Sequence, residues 1–266
     1  MKKRIDTILV EKGLIDSREK AKRTIMAGLV LVDNQRVDKA GTQVDEDAEI
    51  RIKGVQNPYV SRGGFKLEKA MKSFDIKLDD YVCMDIGAST GGFTDCMLQN
   101  NAKKVYSIDV GYGQFAWKLR QDERVVCLER TNFRHLEQEK VLEEIDFASI
   151  DVSFISLRLI IPKLKEFLRV SGECVALIKP QFEAGREKVG KKGVVRDINV
   201  HKDVIKRIVD FVIEEEFEIL GLDYSPIKGP NGNIEYLIYI KKDIKKHLDF
   251  DYEKIEDVVD RSHTTL

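Results

Sequence analysis

Apolar residues follow two different rhythms along this chain, and the change falls between Lys53 and Tyr59. Before it, "RIDTILVEKGLI" and "DSREKAKRTIMAG" carry apolar side chains at helical spacing. The first predicts a short helix closed by Gly13, the second a helix with Asp16 or Ser17 as N-cap and Gly28 as stop. "LVLVDNQRVDKAG" reads as a hairpin turning at Asp33-Asn34, and "VDEDAEIRI" returns as a further strand. "KGVQNPY" has no periodicity and reads as a linker.

From Ser61 onward short apolar strands alternate with helical stretches: "YVCMDIGA", "KVYSIDVG", "VVCLERT", "FASIDVSF", "ECVALIKP", "FEILGLDYS" and "IEYLIYIKK". This predicts a Rossmann-like α/β fold, a mostly parallel seven-stranded sheet covered by helices on both faces. Only "PIKGPNGN" joins the last two strands, too short for a crossover helix, so the last strand is expected to run antiparallel. The expected organisation is a small α+β domain over 1–52, a linker over 53–60, the α/β domain over 61–245 and a helical tail over 246–266.

Composition narrows the class. The 266 residues are 42% hydrophobic and 34% charged, enough for a real core in a soluble chain. No apolar run approaches a membrane span, and "MKKRIDTILVEKG" lacks a secretory signal. Cys83, Cys96, Cys127 and Cys174 show no CxxC pairing, as expected of reduced thiols in a cytosolic protein, and no metal site is expected. With a net charge of -1, any basic surface must be local. Residues 1–23 hold eight Lys or Arg against four Asp or Glu, which makes the two N-terminal helices a candidate nucleic-acid face or simply a solvated one.

"CMDIGASTGGFTDCML" is strand, glycine-rich turn and helix, the ligand-binding corner of a doubly wound sheet. Three ligand chemistries compete there. A dinucleotide oxidoreductase needs G-x-G-x-x-G, whereas this loop runs G-x-x-x-G-G. "GASTG" matches a hydrolase elbow with Ser89 as nucleophile, but neither His135, His201, His247 nor His263 stands where its base belongs. An S-adenosylmethionine site fits best, with Asp85 closing the first strand, Gly87, Gly91 and Gly92 allowing close approach, and Asp109 holding the ribose hydroxyls. A purely structural glycine turn is the fourth reading.

Polar residues at the carboxyl ends of parallel strands face the ligand crevice. Asp151 ends the fourth strand and Lys179, followed by Pro180, ends the fifth. Glu235 begins the antiparallel last strand and so belongs to the same edge. These three are expected to converge beside the glycine loop. Lys66 lies in "YVSRGGFKLEKAM", on the flank of a helical face made by Leu67, Ala70, Met71 and Phe74. Taken alone it reads as a solvated lysine. The strand-end set lacks one amine that this helix can supply, and Lys66→Ala is then expected to affect activity far more than stability. "FEAGREKVGKKGVVRD" has three glycines and five basic residues from Arg186 to Arg196, and reads as a mobile basic lid or a plain surface loop. Phosphate contact through Lys188, Lys191 and Lys192 would give binding a salt dependence that flattens when they are neutralised.

Two resemblances sharpen these expectations. "RIDTILVEKGLIDSREKAKRTIMAGLVLVDNQRV" resembles the RNA-binding domain named after ribosomal small-subunit protein four, with Ile5 for the usual Leu and Asn34-Gln35 for the Asn-Gly turn. The resemblance implies docking on structured RNA through Arg4, Ser17, Arg18, Lys22 and Arg23. "FKL", "DIGASTGGF", "DVSF", "LIKP" and "IEYLIY" resemble, in order, the FtsJ-type ribose 2′-O-methyltransferases, whose Lys-Asp-Lys-Glu tetrad falls on Lys66, Asp151, Lys179 and Glu235. The fuller strings "YVSRGGFKL", "DVGYGQFAWKLR", "ERTNFR", "LIKPQFEAG" and "GVVRD", joined to the N-terminal module, resemble the TlyA family over nearly the whole chain.

That resemblance implies S-adenosylmethionine-dependent methylation of a cytidine 2′-hydroxyl in ribosomal RNA, on one or both ribosomal subunits. It implies cofactor contacts from Asp85, Gly87, Ala88, Ser89, Gly91, Gly92, Phe93, Asp109 and Asp151. Asn132 stands where FtsJ relatives carry a cofactor-binding acid. Arg62 is a further candidate phosphate contact. Lys179 is expected to take the hydroxyl proton beside the cation of Lys66, with Asp151 and Glu235 orienting the two amines. The alternatives are a non-catalytic RNA-binding or ribosome-assembly factor, and the haemolysin role with which relatives have been labelled.

Overall fold

The computed structural model describes residues 2–12, 14–15, 17–46, 48–53, 57–242 and 250–266. The chain forms two compact units, Met1–Pro58 and Tyr59–Leu266. Gly13 and Asp16, part of the expected linker, and His247 lie outside the described residues.

The first unit runs β1 (Lys2–Arg4), α1 (Ile5–Glu11), α2 (Arg18–Met26), β2 (Val30–Val32), β3 (Gln35–Val37), β4 (Gln43–Asp45) and β5 (Ile50–Ile52). Ser17 caps α2, its hydroxyl accepting from Lys20 N, and Gly28 beyond the other end takes a φ of +67°. Asp33 and Asn34 both have positive φ, the paired left-handed conformation of a tight hairpin turn. The order β3-β2-β5 forms one antiparallel sheet, and β1 pairs with β4 in another. That second pairing was not visible in the sequence, because three-residue strands are too short to show alternation. Ile5, Ile8 and Leu9 from α1 meet Ala21 and Ile25 from α2 and Val30 from β2 in a small core.

The second unit runs α3 (Gly64–Phe74), β6 (Val82–Ile86), α4 (Gly92–Gln99), β7 (Lys104–Ile108), α5 (Trp117–Arg120), β8 (Val125–Leu128), β9 (Ile145–Ile150), α6 (Ile161–Leu164), β10 (Leu168–Ile178), α7 (Pro180–Glu183), α8 (Ile198–Glu214), β11 (Phe217–Tyr224), β12 (Tyr236–Lys242) and α9 (Glu253–Thr265). Its seven strands lie in the order β11-β12-β10-β9-β6-β7-β8. The five from β10 to β8, leaving out β12, are parallel, and β12 is antiparallel to both its neighbours. β10 begins earlier than the apolar run suggests, with a bulge between Leu168 and Glu173 where Ser171 takes a positive φ.

Each face of the sheet carries its own core. On one, Leu67, Ala70 and Met71 of α3 pack with Cys96 and Met97 of α4 against Cys83, Phe147, Val175 and Leu237. On the other, Val204, Ile208 and Val212 of α8 pack against Ile150, Ala176 and Ile238, and Ile255, Val258 and Val259 of α9 join them.

Candidate active site

Strand register assembles the site. Ile86 pairs with Ile108 and with Ile150, so the residues that follow, Gly87, Asp109 and Asp151, leave the sheet at one edge. Ile178 of β10 pairs with Tyr236 of β12, so Lys179 and Glu235 leave at that same edge from opposite directions. Lys66 arrives from the first turn of α3. A cleft of about 230 Å³ is lined by Lys66, Asp151, Lys179 and Glu235 together with Asp85, Gly87, Ala88, Ser89, Gly92 and Phe93.

The four ionisable groups form one chain of ion pairs. Lys66 Nζ lies 2.7 Å from Glu235 Oε2 and 3.1 Å from Asp151 Oδ2. Lys179 Nζ lies 2.5 Å from Asp151 Oδ1 and donates to Ser153 Oγ at 3.2 Å. Burial pulls the Lys66 ammonium down, but Asp151 and then Glu235 outweigh it and hold it above the ordinary lysine range. Burial pushes the Asp151 carboxyl up, but Lys66 and Lys179 together hold it below the ordinary carboxylate range. Lys66 therefore stays cationic, and Asp151 is the shared anion between two amines. Glu235 is wholly buried; its Oε2 faces Lys66 without the geometry of a directed hydrogen bond, and its Oε1 has no hydrogen-bond partner. Gly229 closes over this carboxylate, where an added Cβ would stand 2.1 Å from Oε1.

The glycine turn is built for close approach. Gly87 has φ +86° and a Cβ there would stand 2.6 Å from the Asp151 carbonyl oxygen. Gly91 has φ +96° and starts α4. Ser89, at φ +50°, turns its N–H to Asp109 Oδ2 at 2.7 Å, while Gly111 N donates to Asp109 Oδ1 at 2.6 Å. Gln114 Nε2 reaches Asp109 Oδ1 at 3.5 Å as a third donor, and since a carboxylate has about four acceptor positions, half-buried Asp109 keeps capacity for a ribose hydroxyl.

Asp85 is used differently from its neighbours. It lies under the turn with no exposed surface, one oxygen accepting from Thr94 N and Oγ and the other from Ser149 Oγ. Burial pushes its carboxyl up to about 7. Its bonds tie β6 to α4 and β9 rather than reaching outward. Asn132 caps a short turn, its Oδ1 accepting from Arg134 N. Among the described residues no histidine lines the cleft beside Ser89, so none of them offers the hydrolase reading a base there.

Ser61, Ser153 and Pro230 also line the cleft and were missed in the sequence. For Ser153 a signal existed, two positions past Asp151. Ser61 and Pro230 lie in irregular loops, where spacing says nothing about direction.

The RNA-contact candidates divide. In the first unit, Arg4 donates twice to wholly buried Asp6, at 3.0 and 2.9 Å, and Arg18 donates to Asp6 at 3.3 Å. The hydrogen bonds from Arg4 are the main reason that the Asp6 carboxyl is held down at about 2. Ser17 is spent on its cap, Arg23 faces Glu19 at 3.8 Å, and Lys22 is exposed. In the second unit, Arg62 is exposed in the turn before α3. Lys188, Lys191, Lys192 and Arg196 line a second cleft of about 380 Å³, with Lys188 3.7 Å from Asp203.

Comparison with known proteins agrees with this architecture. Residues 59–242 match the FtsJ-like methyltransferase family and residues 3–50 match the S4 domain. YqxC of Bacillus subtilis, provisionally named an rRNA methyltransferase, is 53% identical over 268 residues, covering 100% of this chain and 95% of that protein. The 16S/23S rRNA (cytidine-2'-O)-methyltransferase TlyA of Mycobacterium tuberculosis is 38% identical over 260 residues, covering 97% of this chain and 96% of that one. A structure from Streptococcus thermophilus, provisionally named a hemolysin, superposes with a TM-score of 0.79 at 48% identity, covering 99% of this chain and 96% of that one. The chain therefore belongs to the FtsJ-like methyltransferase family, in the TlyA branch that carries an S4 domain ahead of the catalytic fold.

Proposed function

We propose that the protein methylates the 2′-hydroxyl of a cytidine in ribosomal RNA with S-adenosylmethionine as donor. The observation that carries this reading is the buried chain Glu235–Lys66–Asp151–Lys179 standing in the same cleft as the glycine turn. The relative from M. tuberculosis bears a name for the same reaction.

The cleft suits the cofactor. The turn from Gly87 to Gly92 offers bare backbone, and Asp109 offers a carboxylate with spare acceptor capacity beyond it. When bound, the cofactor supplies a methyl group on a positively charged sulfur, an electrophile open to in-line attack. The residues of the chain then have three tasks. They hold the ribose hydroxyl in line, which is worth several orders of magnitude in rate. They receive its proton as the oxygen–carbon bond forms. They keep the two amines in register.

Lys66 is bracketed by two carboxylates and remains an ammonium. Lys179 shares Asp151 and is otherwise bonded to the neutral Ser153 hydroxyl. With one carboxylate partner where Lys66 has two, Lys179 Nζ is the amine that receives the proton from the 2′-oxygen, and Lys66 stabilises the charge that develops there. The first unit and the basic cleft at Lys188, Lys191 and Lys192 provide phosphate contacts in this reading.

The test mixes labelled S-adenosylmethionine with ribosomal subunits lacking the modification, followed by nucleoside analysis. Label on a cytidine ribose is the expected result. No transfer to any RNA, with subunit binding intact, would select a non-catalytic assembly factor. No helix among the described residues is long and apolar enough to cross a membrane, so the hemolysin name of the S. thermophilus relative finds no support from that feature.

A further inference from the structure

The basic segment from Arg186 to Arg196 is exposed through most of its length, but its far end is not loose. Val195 is 3% exposed, and both of its backbone polar groups are held by side chains. Its N–H donates to Asn233 Oδ1 at 3.3 Å. Its carbonyl accepts from His201 Nε2 at 3.0 Å, which leaves His201 Nδ1 to accept from the Tyr236 hydroxyl at 2.6 Å. Asn233 is itself 3% exposed and uses both donors of its amide, to the Gly193 carbonyl at 2.9 Å and the Pro230 carbonyl at 3.1 Å. Its own carbonyl accepts from Gly229 N at 2.9 Å, the residue that closes over Glu235 Oε1.

One side chain thus grips the basic segment on both sides of Val194 and also shapes the loop covering the Glu235 carboxylate. Aspartate has the same shape but donates nothing, and alanine makes none of the three bonds. We infer that Asn233 is a positioning residue that locks the basic segment in register with Glu235, and hence with Lys66, so that RNA phosphates held by the segment and the reacting hydroxyl keep a fixed spacing. The inference rests on the RNA-methylating reading for its consequence, but the anchor itself does not.

The test uses the full chain carrying Asn233→Ala. Limited trypsin digestion reads the anchor without any substrate, since Arg186, Lys188, Lys191, Lys192 and Arg196 are all cleavage points. Cleavage in this segment should rise at least about ten-fold, on the order of what losing three hydrogen bonds releases. KM for ribosomal RNA should rise about as much, with cofactor affinity unchanged. A merely structural role would lower melting temperature and active fraction while leaving KM and the segment's cleavage relative to the rest of the chain as they were. That result overturns the inference, as does wild-type cleavage with wild-type KM. If Asn233→Ala does not fold, Asn233→Ser is read the same way. Should the wild-type protein transfer no methyl group, the functional reading fails while the cleavage ratio still decides the anchor.

Discussion

Lys66 Nζ sits 2.7 Å from Glu235 Oε2, and no other cation is paired with that wholly buried carboxylate among the described residues. This relationship changes what Lys66→Ala should do. The sequence suggested a loss of activity with little loss of stability. Removing one partner of a buried ion pair strands the other, at a cost of roughly 3–5 kcal/mol. Lys66→Ala should therefore abolish methyl transfer and also lower the melting temperature by about 6–15 °C. Adding Glu235→Gln should recover part of the melting temperature and none of the activity, which differential scanning calorimetry and the transfer assay check together.

Lys179→Ala should behave differently, because Asp151 keeps Lys66 when Lys179 is lost. Its melting temperature should fall less than that of Lys66→Ala. Its kcat should fall by about 10²–10⁴, the range for removing a general base, with cofactor and RNA affinities retained. Lys179→Arg keeps the charge but cannot shed a proton, and should be equally inactive. An active arginine variant would remove the base role from Lys179.

Asp109→Asn addresses the cofactor side of the cleft, with the loss of one of the two backbone bonds from Ser89 and Gly111. It loses charge-assisted acceptance, worth roughly 1.5–3 kcal/mol per bond, so affinity for S-adenosylmethionine should fall by about ten-fold to a hundred-fold. RNA affinity should not change. Isothermal titration calorimetry separates the two, and equal cofactor affinity would place the ribose elsewhere.

Asp6 gives a pH dependence and an inverted charge effect. Its carboxyl is held down at about 2, chiefly by hydrogen bonds from Arg4. A depressed acid stabilises the fold above its unfolded pKa, near 4, and that contribution is lost as pH falls through about 2. NMR signals of α1 amides should therefore show the first unit losing stability between about pH 4 and 2, with a smaller pH dependence in Asp6→Asn. At neutral pH, Asp6→Ala removes a negative charge yet should weaken RNA binding, because Arg4 and Arg18 lose the group that orients them. Tighter binding would show that these arginines need no such support.

Much of the site was legible because strand ends are local features. "DIGASTGGF", Asp151 before "VSF" and Lys179 before Pro180 each sit where an apolar run stops, and a parallel sheet sends such positions to one edge. Asp85 shows the limit of that reasoning. The sequence put it at a strand end like the others, yet β6 runs on to Ile86 and the Asp85 carboxylate is turned inward to Thr94 and Ser149. Ser61 and Asn233 gave no periodic signal at all.

The sequence by itself determined the longer helices and the seven strands of the large sheet, because helix and strand periodicities are properties of neighbouring residues. It also determined that Asp109, Asp151, Lys179 and Glu235 leave the sheet at one edge. Only the tertiary structure decided the state and partners of those charges. Whether Lys66 is a solvated amine or a buried ammonium depends on Asp151 and Glu235 arriving within about 3 Å, and Coulomb energy depends on distance and local dielectric rather than on sequence order. The same reason hid the clasp of Asn233 on Val195 and the grip of Asp6 on Arg4 and Arg18, which exist only where separate stretches of chain meet.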